Sequence, residues 1–138
     1  LGCGTGMLLR RIKGDHELVV GIDISLGMLR KARKEVPDVP LILADADHLP
    51  FGDECFDAVF SVTVLQNLPD PLSALREVVR VTKPGGRVLV STLKRKHSKE
   101  RVREWVKELG LREDEILERE DVEDVLLIAT RTIEDRIK

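Results

Sequence analysis

The sequence LGCGTG at residues 1–6 is followed by an apolar run that closes on an acid, LVVGID at residues 18–23. Glycines at every second position, Gly2, Gly4 and Gly6, let a backbone bend sharply and approach a ligand closely, because no side chain stands in the way. A short apolar run bounded by polar residues is typical of a buried strand. Together these features favour an α/β fold with a ligand beside a glycine turn, although a tight structural turn into a helix would produce the same glycines.

Strands and helices alternate along the rest of the chain. The apolar runs predict buried strands over residues 18–23, 41–44, 57–62 and 87–93. Capping residues and apolar spacing predict helices over residues 25–35, from 70 to a stop at KPGG (83–86), and over 98–109. Two extended stretches, 115–119 and 125–132, follow without an intervening helix and predict an antiparallel edge hairpin. The fold class is therefore α/β, with a doubly wound, mostly parallel sheet covered on both faces.

Length and charge restrict the classes of protein that fit. At 138 residues the chain predicts one domain over residues 1–138. Its formal net charge of -2 gives no general attraction to nucleic acid or membrane, and no apolar run approaches the roughly 20 residues of a membrane span. Cys3 and Cys55 have no metal-ligand spacing, so no metal site is predicted and a reduced, cytoplasmic setting is favoured. Few side-chain amides among many charges are typical of thermophile proteins.

Acidic residues stand at the ends of two predicted strands, where open α/β sheets bind ligands. Asp23 closes the first run, and Asp45, followed by Ala46, closes the second. A carboxylate at Asp23 could accept hydrogen bonds from a ribose diol, and one at Asp45 could accept from an adenine amino group. Taken singly, Asp23 could instead cap the helix that begins at Ser25, and Asp45 could be a turn residue. A glycine turn and two acids in series predict one coordinated ligand site.

In order and spacing, these stretches resemble the cofactor motifs of class I S-adenosylmethionine-dependent methyltransferases. The resemblance is carried by LGCGTG at 1–6, GIDIS at 21–25, ADA at 44–46, LPF at 49–51 with FD at 56–57, and the segment 70–87 that ends KPGGR. The subgroup that it resembles most is the methyltransferases of ubiquinone and menaquinone biosynthesis. The resemblance implies a Rossmann-like sheet, S-adenosylmethionine as the cofactor, and transfer of its methyl group by in-line displacement.

The resemblance also implies which residues hold the methionine part of the cofactor. Gly2, Gly4 and Gly6 would pass beneath its amino-acid group. Ser61, at the end of the family's fourth strand, would lie near the methionine moiety and the reacting methyl group.

The implied contacts to the adenosine part come from the next two motifs. Asp23 would hold the ribose, and Ile24 would flank the adenine. Asp45 and Ala46 would read the adenine edge, with Leu49 against the other face of the ring.

Such a reaction needs little acid–base equipment, because the sulfonium already activates its methyl group. Rate then comes largely from in-line positioning and exclusion of water. The sequence accordingly shows no nucleophile constellation, and its histidines, His16, His48 and His97, are predicted to be surface residues.

Gln66 and Asn67 are the candidates on the side of the methyl acceptor. Related enzymes carry two histidines after the fourth strand, where this chain has these two amides. Amides both donate and accept hydrogen bonds, which suits a neutral polar acceptor. A turn with the asparagine in a left-handed conformation is an alternative of comparable weight.

A basic segment follows the fifth family strand and could contact a phosphate group or RNA; its residues are Lys94, Arg95, Lys96 and Lys99. A solvated helix face in a charge-rich protein explains the same pattern. The acceptor is therefore predicted to be a small molecule or RNA, with no membrane partner.

Two other functions remain open from the sequence. One is a non-catalytic cofactor-binding subunit that needs a partner chain. The other is a nicotinamide-binding domain, which is disfavoured because Met7 stands where G-x-G-x-x-G requires its third glycine.

The resembling fold has a central strand that leads into the glycine turn, and only Leu1 of that strand is present. An empty central slot would leave backbone groups unpaired, each at a cost of roughly 1–3 kcal/mol. We therefore expect a first central strand that is largely missing, completed by upstream residues or by a strand from a partner subunit or oligomer.

Overall fold

The computed structural model describes residues 19–62 and 64–133, and the chain divides into two compact units, Leu1–Pro50 and Phe51–Lys138. Each unit has its own sheet among the described residues. That residues 1–138 form a single domain stays a prediction.

The first unit contains a parallel pair of strands joined by a helix. Its elements are β1 (Gly21–Asp23), α1 (Leu26–Glu35) and β2 (Leu41–Leu43). Helix α1 begins after Ser25 because the Ser25 hydroxyl accepts a hydrogen bond from the Met28 N–H at 3.2 Å. The helix buries Leu29 and Ala32, as the predicted spacing requires.

The second unit is a four-stranded mixed sheet with two helices. Its elements are β3 (Phe56–Val62), a 3-10 turn (Leu65–Asn67), α2 (Pro71–Val81), β4 (Thr82–Leu93), α3 (Lys99–Glu108), β5 (Leu111–Glu118) and β6 (Asp124–Arg131). The strand order is β3-β4-β6-β5, with β3 and β4 parallel and the other two pairings antiparallel. The predicted C-terminal hairpin at the sheet edge is confirmed, and β5 is its outer strand.

Helix starts match the sequence closely because capping is local. Asp70 accepts a hydrogen bond from the Ser73 N–H, Pro71 occupies the first helical turn, and Ser98 caps α3. The roles of Asp70 and Pro71 and the start of a helix near Ser98 are confirmed, and the cap at Ser98 is an added finding.

The predicted stop at residues 83–86 is placed differently in the structure. Helix α2 ends at Val81, and the next residue already belongs to β4. The register against β3 jumps from Phe56↔Thr82 to Ala58↔Arg87, so the KPGG stretch is a bulge inside the strand. Because residues on both sides of KPGG pair with β3, the strand begins before this stretch. The proline and glycines alone predict a loop there.

The first predicted strand is shorter than expected, since β1 begins at Gly21. The expectation about the missing central strand rests on Leu1, which lies outside the described residues.

Candidate functional site

Asp23 is the last residue of β1, and Asp45 lies two residues after the end of the neighbouring parallel strand β2. The register pairs Asp23 with Leu43, and the Ala44 N–H donates to the Asp23 carbonyl at 3.1 Å. The carboxyl ends of β1 and β2 therefore meet at one edge, as the sequence predicts for a ligand site.

Both acids close a tight local turn with their own side chains. The Ser25 N–H donates to Asp23 Oδ1 at 2.9 Å, and the Asp47 N–H donates to Asp45 Oδ1 at 2.9 Å. Such turns fix the orientation of a carboxylate before any ligand arrives. Asp23 is not the cap of α1, because the side chain that caps this helix belongs to Ser25.

Exposed apolar side chains flank this edge. Ile24 is 68% exposed and Leu43 is 54% exposed, which leaves apolar surface next to the two acids. The exposure of Ile24 suits its implied place beside an adenine ring. Ala46 is half-buried, and Leu49 is buried at 7% exposure, so the Leu49 side chain is closed to solvent.

Asp47 is a candidate that the sequence did not single out. Its Oδ1 is buried and has no hydrogen-bond partner within the part of the chain that the structure describes. A buried carboxylate oxygen without a donor is unusual. Its position two residues after Asp45, at the same strand end, could have marked it as a candidate in the sequence.

The predicted glycine contacts, Gly2, Gly4 and Gly6, lie outside the described residues.

In the second unit, Ser61 is fully buried near the carboxyl end of β3, opposite Val90 of β4. Its hydroxyl has no hydrogen-bond partner within residues 19–62 and 64–133. Most buried side-chain polar atoms are paired in proteins. An orphaned hydroxyl at the binding edge of a sheet fits a site that a polar ligand completes.

Gln66 and Asn67 lie in the 3-10 turn just beyond β3, and their surroundings differ. Asn67 is exposed, and its backbone is not left-handed, since Glu54 is the one non-glycine residue with positive φ in the described ranges. The left-handed turn alternative is therefore wrong. Gln66 is half-buried, and its Oε1 lies 3.5 Å from the Thr92 hydroxyl.

His97 is half-buried rather than fully exposed. Its Nδ1 lies 2.8 Å from the Thr92 hydroxyl, and its ring packs edge-on against Trp105 with ring centroids 4.8 Å apart. Burial lowers the pKa of His97 below its ordinary value, and the positive charges of Arg101 and Lys96 lower this pKa further. His97 directly precedes the helix cap Ser98, a position whose side chain often packs back onto its own helix, and that was the missed signal.

The basic segment is less available than its sequence suggests. Lys94 Nζ donates to the Arg119 carbonyl at 2.9 Å and approaches the Glu120 carbonyl at 3.5 Å, so this ammonium holds the β5–β6 turn. Arg95 and Lys96 are exposed, and Lys99 is half-buried. Lys94 is therefore less free to reach a ligand than the sequence implies, although it keeps its charge.

The described part of the chain shows neither a metal cluster nor a membrane-spanning helix. No group of three or more His, Cys, Asp or Glu side chains there could hold a metal ion. No helix there combines the length and apolar character that a membrane span requires.

Comparison with known proteins gives matches in sequence and in structure. Residues 1–90 match a family model described as a methyltransferase domain. The demethylmenaquinone methyltransferase of Corynebacterium kroppenstedtii is 44% identical over 90 residues, which cover 65% of this chain and 38% of that protein. The chain thus spans well under half the length of this relative.

Solved structures share the fold at low sequence identity. SpnF, a 4+2 cyclase, superposes with a TM-score of 0.86 at 20% identity, covering 96% of this chain and 74% of that one. Magnesium protoporphyrin IX methyltransferase from Synechocystis, solved with bound SAM, gives a TM-score of 0.81 at 21% identity, covering 95% and 67%. These likenesses confirm the predicted α/β fold class, and the first of them belongs to a protein named for a different reaction.

Proposed function

This chain belongs to the methyltransferase domain family, and on that basis we propose that it transfers a methyl group from S-adenosylmethionine to a small hydroquinone acceptor. The match confirms the predicted class of domain and its predicted methyl donor. The acceptor class follows from similarity to enzymes named for demethylmenaquinone, and it belongs to the proposal.

The observation that carries the proposal is the paired orientation of Asp23 and Asp45 at one sheet edge. A carboxylate held in this way can accept hydrogen bonds from a ribose diol at one strand end and from an adenine amino group at the other. Ile24 offers an exposed apolar surface for a ring. Both negative charges also favour a cationic ligand.

In the second unit, the resemblance implies that Ser61 lies near the methionine moiety of S-adenosylmethionine. The buried Ser61 hydroxyl lacks a partner among the described residues, so a ligand amine or carboxylate would satisfy it. When bound, S-adenosylmethionine supplies a methyl group that its sulfonium has already activated. The contribution of this chain is to bind, orient and exclude water.

A hydroquinone suits the acceptor role better than its quinone. Methyl transfer from a sulfonium needs an electron-rich acceptor atom, and the reduced ring provides one. Gln66 and Asn67 lie where a neutral polar acceptor could be oriented by amides. A role in RNA binding has less support, because Lys94 is engaged by backbone carbonyls and the net charge is -2.

The test uses S-adenosylmethionine carrying a labelled methyl group, with three acceptors offered separately. These are a demethylmenaquinone-type compound under reduction, the same compound oxidised, and total RNA. We expect label in the organic phase with the reduced compound alone. Label in RNA would overturn the hydroquinone proposal and identify a nucleic acid as the acceptor. Cofactor binding without transfer to any acceptor would favour the alternative of a non-catalytic subunit that needs a partner chain.

Three statements from composition accompany this proposal as predictions. They are a reduced cytoplasmic setting, a thermophilic source, and a possible partner subunit or oligomer.

A further inference from the structure

Gln66, Thr92 and His97 form a hydrogen-bonded series at the carboxyl edge of β3 and β4. Thr92 is the penultimate residue of β4, and Gln66 follows β3, whose last residue pairs with Ser91. Thr92 and His97 lie beyond the matched residues 1–90, so family membership assigns them no role.

We propose that His97 is the proton acceptor for the methyl acceptor's hydroxyl group, with Thr92 and Gln66 as positioning residues that set its tautomer. This inference rests on the proposed function and concerns the second unit alone, where it adds His97 to the acceptor-side candidates Gln66 and Asn67.

The direction of the hydrogen bonds carries the argument. The Gln66 carbonyl oxygen is an acceptor only, so the Thr92 hydroxyl donates its proton toward Gln66 Oε1. The same hydroxyl oxygen must then accept from His97, which places a proton on Nδ1. In a neutral imidazole the other nitrogen, Nε2, then carries the lone pair.

The surroundings of His97 keep that lone pair available near neutral pH. Thr92 is fully buried, and Trp105 packs edge-on against the imidazole ring. Burial disfavours the imidazolium and lowers the His97 pKa, and among the described residues the positive charges of Arg101 and Lys96 lower it further. Among the described contacts, none engages Nε2.

The proton step balances for a hydroquinone. The O–H proton moves to Nε2 as the ring carbon forms its bond to the methyl carbon, and the electron pair of the broken carbon–sulfur bond stays with sulfur. The ring C–H proton then leaves to solvent, the oxygen regains its proton from His97, and the aromatic ring is restored. General-base assistance of this kind typically contributes about 10²–10⁴-fold.

The decisive variant is His97→Asn, because its amide can still donate to Thr92 while the Nε2 position is lost. We expect kcat to fall roughly 10²–10⁴-fold with unchanged affinity for S-adenosylhomocysteine. The fall of kcat at low pH, which tracks the His97 pKa in the wild type, should disappear. Lys107→Gln, on the exposed part of α3, is the matched control and should leave both quantities unchanged.

A second pair of variants tests the positioning role. Thr92→Val removes the hydroxyl and should reduce kcat about tenfold, whereas Thr92→Ser should restore it. Nitrogen NMR of His97 gives a readout independent of turnover: the wild type should show the Nδ1–H tautomer at neutral pH, and Thr92→Val should lose that preference.

The outcomes separate this inference from the proposed function. A wild type that transfers no methyl group overturns both. An active wild type whose His97→Asn variant is folded and equally active overturns the role of His97 alone, as does an Nε2–H tautomer in the wild type.

Discussion

Asp23 and Asp45 share one local geometry, since the Oδ1 of each accepts a hydrogen bond from the backbone N–H two residues later at 2.9 Å. Asp23 ends β1 and Asp45 follows β2, and these two strands are a parallel pair, so the same turn occurs twice at one sheet edge. A fixed carboxylate loses little conformational entropy on binding, which favours affinity for a ligand that presents matching donors.

Asp45→Ala should remove discrimination at the adenine amino group. We expect the wild type to bind S-adenosylhomocysteine more tightly than its deaminated analogue, S-inosylhomocysteine, because Asp45 accepts from the amino group. The variant should bind the adenine compound about 1–3 kcal/mol more weakly and treat the two ligands alike. Calorimetric titration of both ligands measures this, and preserved discrimination in a folded variant would exclude Asp45 from the adenine edge.

The joint replacement of Gln66 and Asn67 by Ala should impair turnover more than cofactor binding. Both amides lie on the turn beyond β3, where an acceptor is expected. Steady-state rates and S-adenosylhomocysteine affinity are compared with the wild type. The single variants show which amide lowers turnover. Gln66→Ala also removes the oxygen beside Thr92, whereas Asn67→Ala removes an exposed side chain alone. Weakened cofactor binding with normal turnover at saturation would be the opposite of this expectation.

The sequence predicts what depends on neighbouring residues and misses what depends on distant ones. Ser25 and Ser98 begin their helices as predicted, because a cap needs only the next turn of chain. The bulge at 83–86 depends on pairing with β3, some 25 residues earlier in the chain. His97 was missed because its burial depends on Trp105 and on Thr92 of another element.

Gly86→Ala tests the bulge. A Cβ at Gly86 would lie 2.7 Å from Thr82 Cγ2 and 2.8 Å from the backbone oxygens of Asp57 and Lys83, so the strands must shift. We expect destabilisation of about 1–3 kcal/mol in urea unfolding. Gly52→Ala is the matched control, because its nearest atom is Cys55 Sγ at 3.8 Å, and its effect should stay within about 0.5 kcal/mol. Equal effects at the two glycines would contradict the packing described for β4.

Thr130→Val should make the protein unfold at a higher pH than the wild type when it is acidified. The Thr130 hydroxyl donates to Asp114, and with Arg112 it holds the pKa of that carboxyl below its usual range. A lowered folded pKa gives stability that is present above the unfolded pKa of about 3.9 and is lost as the pH falls through the folded value. The variant should raise the pKa of Asp114 and move its acid unfolding midpoint upward.

Thermal melts between about pH 2 and 6 measure this shift. Thr132→Val is the control, because the Thr132 hydroxyl bonds the Gly110 carbonyl and no titratable group. Its pH dependence should match the wild type. The same acid midpoint in Thr130→Val and Thr132→Val would show that Thr130 does not stabilise the Asp114 carboxylate.

The most direct test of the account is calorimetric titration of the protein with S-adenosylhomocysteine and, separately, with NAD. We predict one-to-one binding of S-adenosylhomocysteine, no binding of NAD, and a loss of about 1–3 kcal/mol in Asp23→Asn, which retains the turn to Ser25 but loses the charge. Asp38→Asn, in the exposed turn after α1, should bind like the wild type. Binding of NAD in place of S-adenosylhomocysteine, or full affinity in a folded Asp23→Asn variant, would contradict the account.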